Sequence, residues 1–217
     1  MNRSIHKIIN EQMKRWQMSK PMQQKTEIGC RVVTISRECG SRGQEVATKL
    51  AQETGYDLFH HEILEAMIQT TKNSRVLLET LDEKGMNIVE DLVADLVHNH
   101  HLWPDEYSKI LLKVLSTIGK HGNAVILGRG ANFALKNALR VRLVAPDTMR
   151  REFIQHNRDL NAEDAFKVMV STDANRIAFV RRYLNSDAQD PANYDLILNT
   201  GTLSVEKAVM IIQSAME

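Results

Sequence analysis

Residues 31–51 read Arg-Val-Val-Thr-Ile-Ser-Arg-Glu-Cys-Gly-Ser-Arg-Gly-Gln-Glu-Val-Ala-Thr-Lys-Leu-Ala, and this stretch decides the fold. The β-branched run Val32 to Ile35 predicts a short buried strand. A loop with Gly40 and Gly43 follows, and then Val46, Ala47, Leu50 and Ala51 fall on one helical face. Gly55 stands where a helix C-cap belongs. Strand, glycine loop and helix in that order aim free backbone N–H groups and a helix dipole at one point, which suits a phosphate.

Gly40, Ser41 and Gly43 would form such a cradle, with Arg37 or Arg42 adding charge-assisted bonds. A plain strand-to-helix turn with two glycines accounts for the same residues, and spacing alone does not separate the two. The phosphate-loop pattern that ends Gly-Lys-Ser/Thr is not kept, because Gln44 and Glu45 follow Gly43. The cradle is present in the sequence; its lysine is not.

Working outward, residues 2–18 carry Ile5, Ile8, Ile9, Met13 and Trp16 near helical spacing and predict an amphipathic helix. The polar stretch from Lys20-Pro21 to Ile28 reads as a linker. This divides the chain into an N-terminal helix and linker, 1–28, and a main domain, 29–217. Tyr56 to His60 is a second, short candidate strand. From Glu62 to Lys120 the pattern is helical: Ile88/Val89, Leu92/Val93 and Leu96/Val97 recur every four residues. Trp103-Pro104-Asp105 opens a further helix with proline in its first turn, and Ile110, Leu111, Val114, Leu115 and Ile118 line its apolar face.

Three more apolar runs predict buried strands: Ala124–Leu127, Val141–Ala145 and Leu196–Leu198. A last helix runs from about Ser204 to Ala215. Short apolar strands alternating with helices predict an α/β fold with a parallel sheet covered on both faces.

The loop Gly128-Arg129-Gly130-Ala131-Asn132 directly follows one of these strands. In open α/β sheets ligands bind beyond the carboxyl ends of the strands, so Arg129 between two glycines is placed for a phosphate. Asp173 and Arg176, three apart, share a helix face and fit an exposed ion pair as well as a binding site. Arg150, Arg151, Arg158, Arg181 and Arg182 are surface arginines or candidates to close over bound phosphates.

His60-His61 and His98-Asn99-His100-His101 invite a metal reading. Metal sites need three or four convergent ligands, so no metal ligand is assigned. Trp16 and Trp103 read as packing anchors. Cys30 and Cys39 form no disulfide framework and fit a reducing compartment.

Composition bounds the rest. A chain of 217 residues with 43% hydrophobic and 25% charged residues is ordinary for one globular domain. A formal charge of +1 gives no reason to expect nucleic acid or an anionic membrane as partner. No apolar run approaches the roughly 18 residues of a membrane span, and the N-terminus lacks a signal peptide's apolar region. A cytoplasmic location is the expectation.

Together these segments resemble the cytidylate kinase-like family of phosphate-loop nucleotide kinases. That family typically reads Thr-Ile-Ser-Arg-Glu-x-Gly-Ser-Gly-Gly at its first loop, and residues 34–43 match except at Arg42. Gly-Arg-Gly-Ala-Asn at 128–132 matches its second signature. Residues 190–200 match its closing pattern, roughly Asp-Pro-x-x-Tyr-Asp-Leu-hydrophobic-hydrophobic-Asn-Thr. The resemblance implies a three-layer α/β/α fold with a five-stranded parallel sheet, a helical insertion at about 62–120 and an arginine-bearing lid at about 147–190.

It also implies ATP and Mg2+ as cofactors and a nucleotide acceptor such as CMP. On that resemblance Gly40, Ser41, Gly43 and Gln44 contact the donor, while Arg37, Arg42, Arg150, Arg181 and Arg182 supply charge. Arg129, Asp173 and Arg176 hold the acceptor. In true cytidylate kinases an arginine stands four residues before the aspartate; here that position is Met169. The family often has arginine where this chain has the neutral Gln44, so a catalytically silent nucleotide-binding module is the alternative. The N-terminal helix and the 62–120 helices are a candidate surface for homo-oligomerisation under either reading.

Overall fold

Val32 through Ile35 are buried on both sides, as a strand at the centre of a covered sheet must be. The computed structural model describes residues 5–18, 32–71, 80–81, 83–99 and 105–217. Its elements, in chain order, are α1 (Ile5–Met18), β1 (Val32–Arg37), α2 (Gly43–Thr54), β2 (Asp57–Phe59), α3 (His61–Thr71), α4 (Glu83–Asn99) and α5 (Glu106–His121). There follow β3 (Ala124–Leu127), α6 (Ala131–Ala134), β4 (Leu139–Val144), α7 (Asp147–Arg158), α8 (Ala162–Leu184), β5 (Leu196–Asn199) and α9 (Val205–Ser214). The five strands form one sheet in the order β2-β3-β1-β4-β5, and every pairing is parallel.

The sheet is the middle of three layers. Period-two alternation divides β1 between them. Val33 and Ile35, with Val125, Leu127, Val141 and Leu143, meet Val46, Ala47 and Leu50 of α2 and Val205, Ala208, Val209 and Ile212 of α9. Val32, Ala124 and Ile126 face the opposite way, toward α1, α3 and α5. Val46 and Leu50 are wholly buried, and each such side chain contributes about 1.5–3 kcal/mol of burial free energy. Gly55 closes α2 with φ 71°, the left-handed conformation expected of a C-cap glycine.

β4 begins at Leu139, two residues before the apolar run at Val141. Its sequence Leu-Arg-Val-Arg-Leu-Val hides a strand because arginines occupy alternate positions. Their heads find partners at the sheet's edge: Arg140 pairs with Asp195 at 2.5 Å, and Arg142 donates to the Ala188 carbonyl at 2.8 Å. β1 likewise extends to Arg37, beyond its apolar part.

The helices α3, α4 and α5 stand between β2 and β3. The N-cap of α5 is Asp105, whose side chain accepts from Ser108 N, so the helix starts just after Pro104. Trp103, Pro104, His100, His101, Cys30 and the linker lie outside the described residues. Ile9, Met13 and Trp16 of α1 are buried against the chain's own core. These three side chains are therefore covered within the chain. Gln12 donates to Asp57 at 2.7 Å, which ties α1 to β2. No helix among the described residues is long and apolar enough to cross a membrane.

Candidate functional site

The carboxyl ends of β1, β3 and β4 open into a cavity of about 730 Å3. Arg37, Gln44, Arg129, Asn132, Asp173 and Arg176 are among the residues that line it. With Arg150, which also lines it, six sequence-predicted site residues reach one space from the ends of two strands, from α2, from α7 and from α8.

Arg37 is the centre of this arrangement. Its stem passes Gly43, where a Cβ would lie 2.8 Å from Arg37 Cβ and Cγ. Its guanidinium rests against Gly128, where a Cβ would collide with Nη1. The glycines of both loops thus make room for this side chain as much as for a ligand. Burial, then the neighbouring Arg176, then Arg129 pull the Arg37 pKa far below the usual guanidinium value. Among the described residues no carboxylate lies within ion-pair distance of it. A desolvated cation without a counter-ion favours an anionic ligand.

Arg129 sits in a turn of three consecutive positive φ angles, 85° at Gly128, 53° at Arg129 and 65° at Gly130. A non-glycine residue there stores backbone strain, as binding loops often do. Arg129 Nη2 pairs with Glu65 Oε1 at 2.9 Å and contacts His61 Nε2, while its guanidinium lies 4.7 Å from the Phe179 ring centre. Tyr107 donates to the same Glu65 oxygen at 2.6 Å. Burial, then Arg129, lowers the His61 pKa, which favours the neutral ring beside the guanidinium. Sequence reasoning missed Glu65, Tyr107 and His61 as holders of Arg129. His61 and Glu65 stand four apart on one face of α3, but no local spacing joins them to Tyr107 on α5 or to Arg129 after β3.

Asp173 and Arg176 are both turned to the first loop. Asp173 Oδ1 accepts the Cys39 N–H at 2.8 Å, and Arg176 Nη1 donates to the Arg37 carbonyl at 3.1 Å. The Asp173–Arg176 separation is 3.7 Å. The pair is a tie between helix and loop rather than an isolated surface ion pair.

Four other arginines are placed differently from Arg37 and Arg129. Arg150 is only 6% exposed and is fully engaged. Nε donates to the Cys39 carbonyl at 2.8 Å, Nη1 to Asp147 at 3.0 Å, and Nη2 pairs with Asp173. A side chain so anchored is a strut for the loop, not a free arm to swing over phosphates. Arg181 and Arg182 are exposed near the end of α8 and do not line the cavity; Arg182 lies over Tyr183. Helical geometry carries them round from the Arg176 face. Arg42 takes a left-handed φ of 57° and pairs with Glu45 at 2.6 Å. It lines a second cavity of about 420 Å3, with Gly40, Met149, Phe153, His156 and Thr200, on the other flank of the loop.

The first turn of α2 leaves backbone N–H groups without intrahelical acceptors, at the loop end. Ser41 is fully buried and its hydroxyl donates inward to Glu38 O at 2.9 Å. Gln44 reaches the first cavity and donates to Thr48 at 3.4 Å. Gly40 (φ 82°) passes so close to α7 that a Cβ would meet the Arg150 carbonyl at 2.5 Å. Glu38 joins the loop to β4, accepting from Ala145 N at 3.2 Å.

The closing pattern at 190–200 builds the scaffold round this site. Asp190 caps a short 3-10 turn, Tyr194 donates to the Ala188 carbonyl at 2.7 Å, and Thr200 Oγ1 donates to Ser41 O at 2.9 Å.

A model of the cytidylate kinase-like family matches residues 32–202. The chain belongs to the cytidylate kinase-like family. It is 28% identical over 191 residues to a cytidylate kinase of Pyrococcus horikoshii, covering 86% of this chain and 88% of that one. With a cytidylate kinase of Methanocaldococcus jannaschii the identity is 31% over 147 residues, 65% of this chain and 79% of the other. Among solved structures, an uncharacterized protein from Eubacterium ventriosum superposes with a TM-score of 0.66 at 21% identity, over 85% of this chain and 97% of that one. That likeness is one of fold. As a member of the cytidylate kinase-like family, the chain keeps Arg129 at the second signature while Gln44 takes the loop position at which the family often has arginine.

Proposed function

We propose that this chain transfers the γ-phosphoryl group of ATP to a nucleoside monophosphate, with CMP as the leading acceptor. The observation that carries the reading is the course of Arg37, led between Gly43 and Gly128 into the cavity that Arg129 and Arg176 also line. Phosphoryl transfer passes through a loose transition state, so catalysis is positioning plus neutralisation of charge on the transferred group. An acceptor phosphate oxygen forms the new bond to the γ-phosphorus, the bond to the β-phosphate bridging oxygen breaks, and ADP and the nucleoside diphosphate leave. Arg129, oriented by Glu65, would hold the acceptor phosphate. Arg37 would supply the charge that a loop lysine supplies elsewhere. The second cavity, between the loop and α7, would receive the donor nucleoside.

The described residues contain no group of three or more protein ligands for a metal ion. Glu38 is already committed to Arg142, Arg150 and Ala145 N. A magnesium ion would therefore be held by nucleotide phosphates and water rather than by a protein cage, a mode that magnesium commonly uses. No step is assigned to it.

A second reading, a nucleotide-binding module without turnover, is favoured by Gln44, which places no charge on a phosphate. A nucleotide panel separates the two. Turnover of CMP or another monophosphate in a coupled ADP-release assay supports the kinase. Calorimetric binding of ATP with no turnover against any acceptor supports the module.

A further inference from the structure

We infer that Asp173 is a positioning residue for the donor loop, and that it acts as one unit with Arg150. This rests on the reading of residues 38–44 as the donor loop. Both backbone polar groups of Cys39 are taken by side chains from the helical layer. Its N–H goes to Asp173 Oδ1 at 2.8 Å, and its carbonyl accepts from Arg150 Nε at 2.8 Å. The two side chains then pair with each other through Asp173 Oδ2 and Arg150 Nη2. The result is a closed ring: loop N–H, carboxylate, guanidinium, loop carbonyl.

The Cys39 side chain completes the fixation, buried against Ile154, Ala165 and Met169. Met169 is the position that carries an arginine in true cytidylate kinases, and here it is an apolar floor under the loop. Immediately after this anchored residue comes Gly40, pressed against the Arg150 carbonyl. Residue 39 thereby sets the path of the chain into residues 40–44. Asp173 Oδ1 and Oδ2 each hold one end of this ring, so loss of the carboxylate releases the loop. Charge-assisted hydrogen bonds of this kind are the strong ones, and a ring of them defines a single geometry.

In calorimetry, Asp173→Ala should weaken ATP binding at least about tenfold and change CMP binding less than about twofold. Arg150→Ala should reproduce the pattern, and the double variant should be no worse than the worse single one, as expected of groups that act together. Asp173→Asn, which keeps an acceptor for Cys39 N–H, should restore most of the ATP affinity lost in Asp173→Ala. Loss of CMP binding with ATP binding intact would overturn the inference and return Asp173 to the acceptor. Equal loss of both ligands with a lowered melting temperature would also overturn it.

Amide hydrogen exchange in the free protein keeps the test independent of the kinase reading. The segment 37–44 should exchange faster in Asp173→Ala than in the wild type, while β3 and β4 stay protected. Unchanged protection of that segment overturns the inference even if the enzyme is active. If the wild type binds no nucleotide, the proposed function fails, and the exchange result still decides whether Asp173 holds the loop.

Discussion

The indole of Trp16 lies on the imidazole of His121, ring centres 4.3 Å apart and planes 6° from parallel. One ring comes from α1 and the other from the last residue of α5, so the stack fastens the N-terminal helix to the insertion. Thr80 Oγ1 is 3.0 Å from His121 Nε2. Burial lowers the His121 pKa from 6.5 to about 4.

A base whose folded pKa is lowered opposes acid. Above pH 6.5 the ring is neutral in both states and its packing is fully available. Between 6.5 and about 4 the unfolded chain takes up a proton that the folded chain resists, so stability falls as pH falls through this window. His121→Phe keeps a flat ring against Trp16 and removes the proton site. The melting temperature of this variant should lose less on going from pH 7 to pH 4.5 than that of the wild type. Parallel pH profiles would show that His121 is not the sensor.

Arg37 and Arg42 flank the first loop, but only Arg37 enters the larger cavity. Arg37→Met should lower turnover at least about tenfold, or about 1.4 kcal/mol of barrier. Its melting temperature should hold or rise, because a desolvated cation is replaced by an apolar chain of similar reach. Arg42→Ala loses an exposed i,i+3 pair with Glu45, and should change stability by less than about 0.5 kcal/mol. Turnover that survives Arg37→Met would remove Arg37 from the mechanism.

Gly128 and Gly130 both have positive φ, yet a methyl group would meet different neighbours at each. At Gly130 it strikes Leu184, a core side chain, so Gly130→Ala should destabilise by about 1–3 kcal/mol. At Gly128 it strikes the movable end of Arg37. Gly128→Ala should therefore cost less stability and more nucleotide affinity than Gly130→Ala. Thermal melts alongside ATP and CMP titrations of the two variants check this; the reverse ranking would refute it.

Asn132 is 6% exposed, and its Nδ2 has no hydrogen-bond partner among the described residues. An unsatisfied buried donor costs about 1–3 kcal/mol, and an apolar group of similar shape does not carry that cost. Asn132→Leu should leave the melting temperature of the free protein unchanged or raised. A fall of several degrees would mean that the amide has a partner in solution.

Most of the fold was legible because its signals are local. The apolar runs at 32–35, 124–127 and 196–198 became strands, and Gly55 became a helix cap, since burial on two faces and a left-handed turn each leave a mark in a few adjacent residues. β4 was legible only in part, because Arg140 and Arg142 interrupt its pattern and are satisfied by residues some fifty positions away. The candidate site divides the same way. Arg37 and Arg129 could be read as site residues from the glycines beside them. What Arg150, Asp173 and Arg176 actually bind could not, because their partners are backbone atoms of the loop more than a hundred residues earlier.

The hydroxyl of Thr200 closes on the carbonyl of Ser41, 159 residues upstream. On the ribosome, the loop leaves the exit tunnel long before this prop is synthesised. Nascent chains that end before β5 would carry every residue of the glycine loop and of the arginine cluster, yet lack the bond that shapes the loop's turn. The loop's final shape then arrives late and abruptly, with the emergence of Thr200, rather than growing in step with chain length.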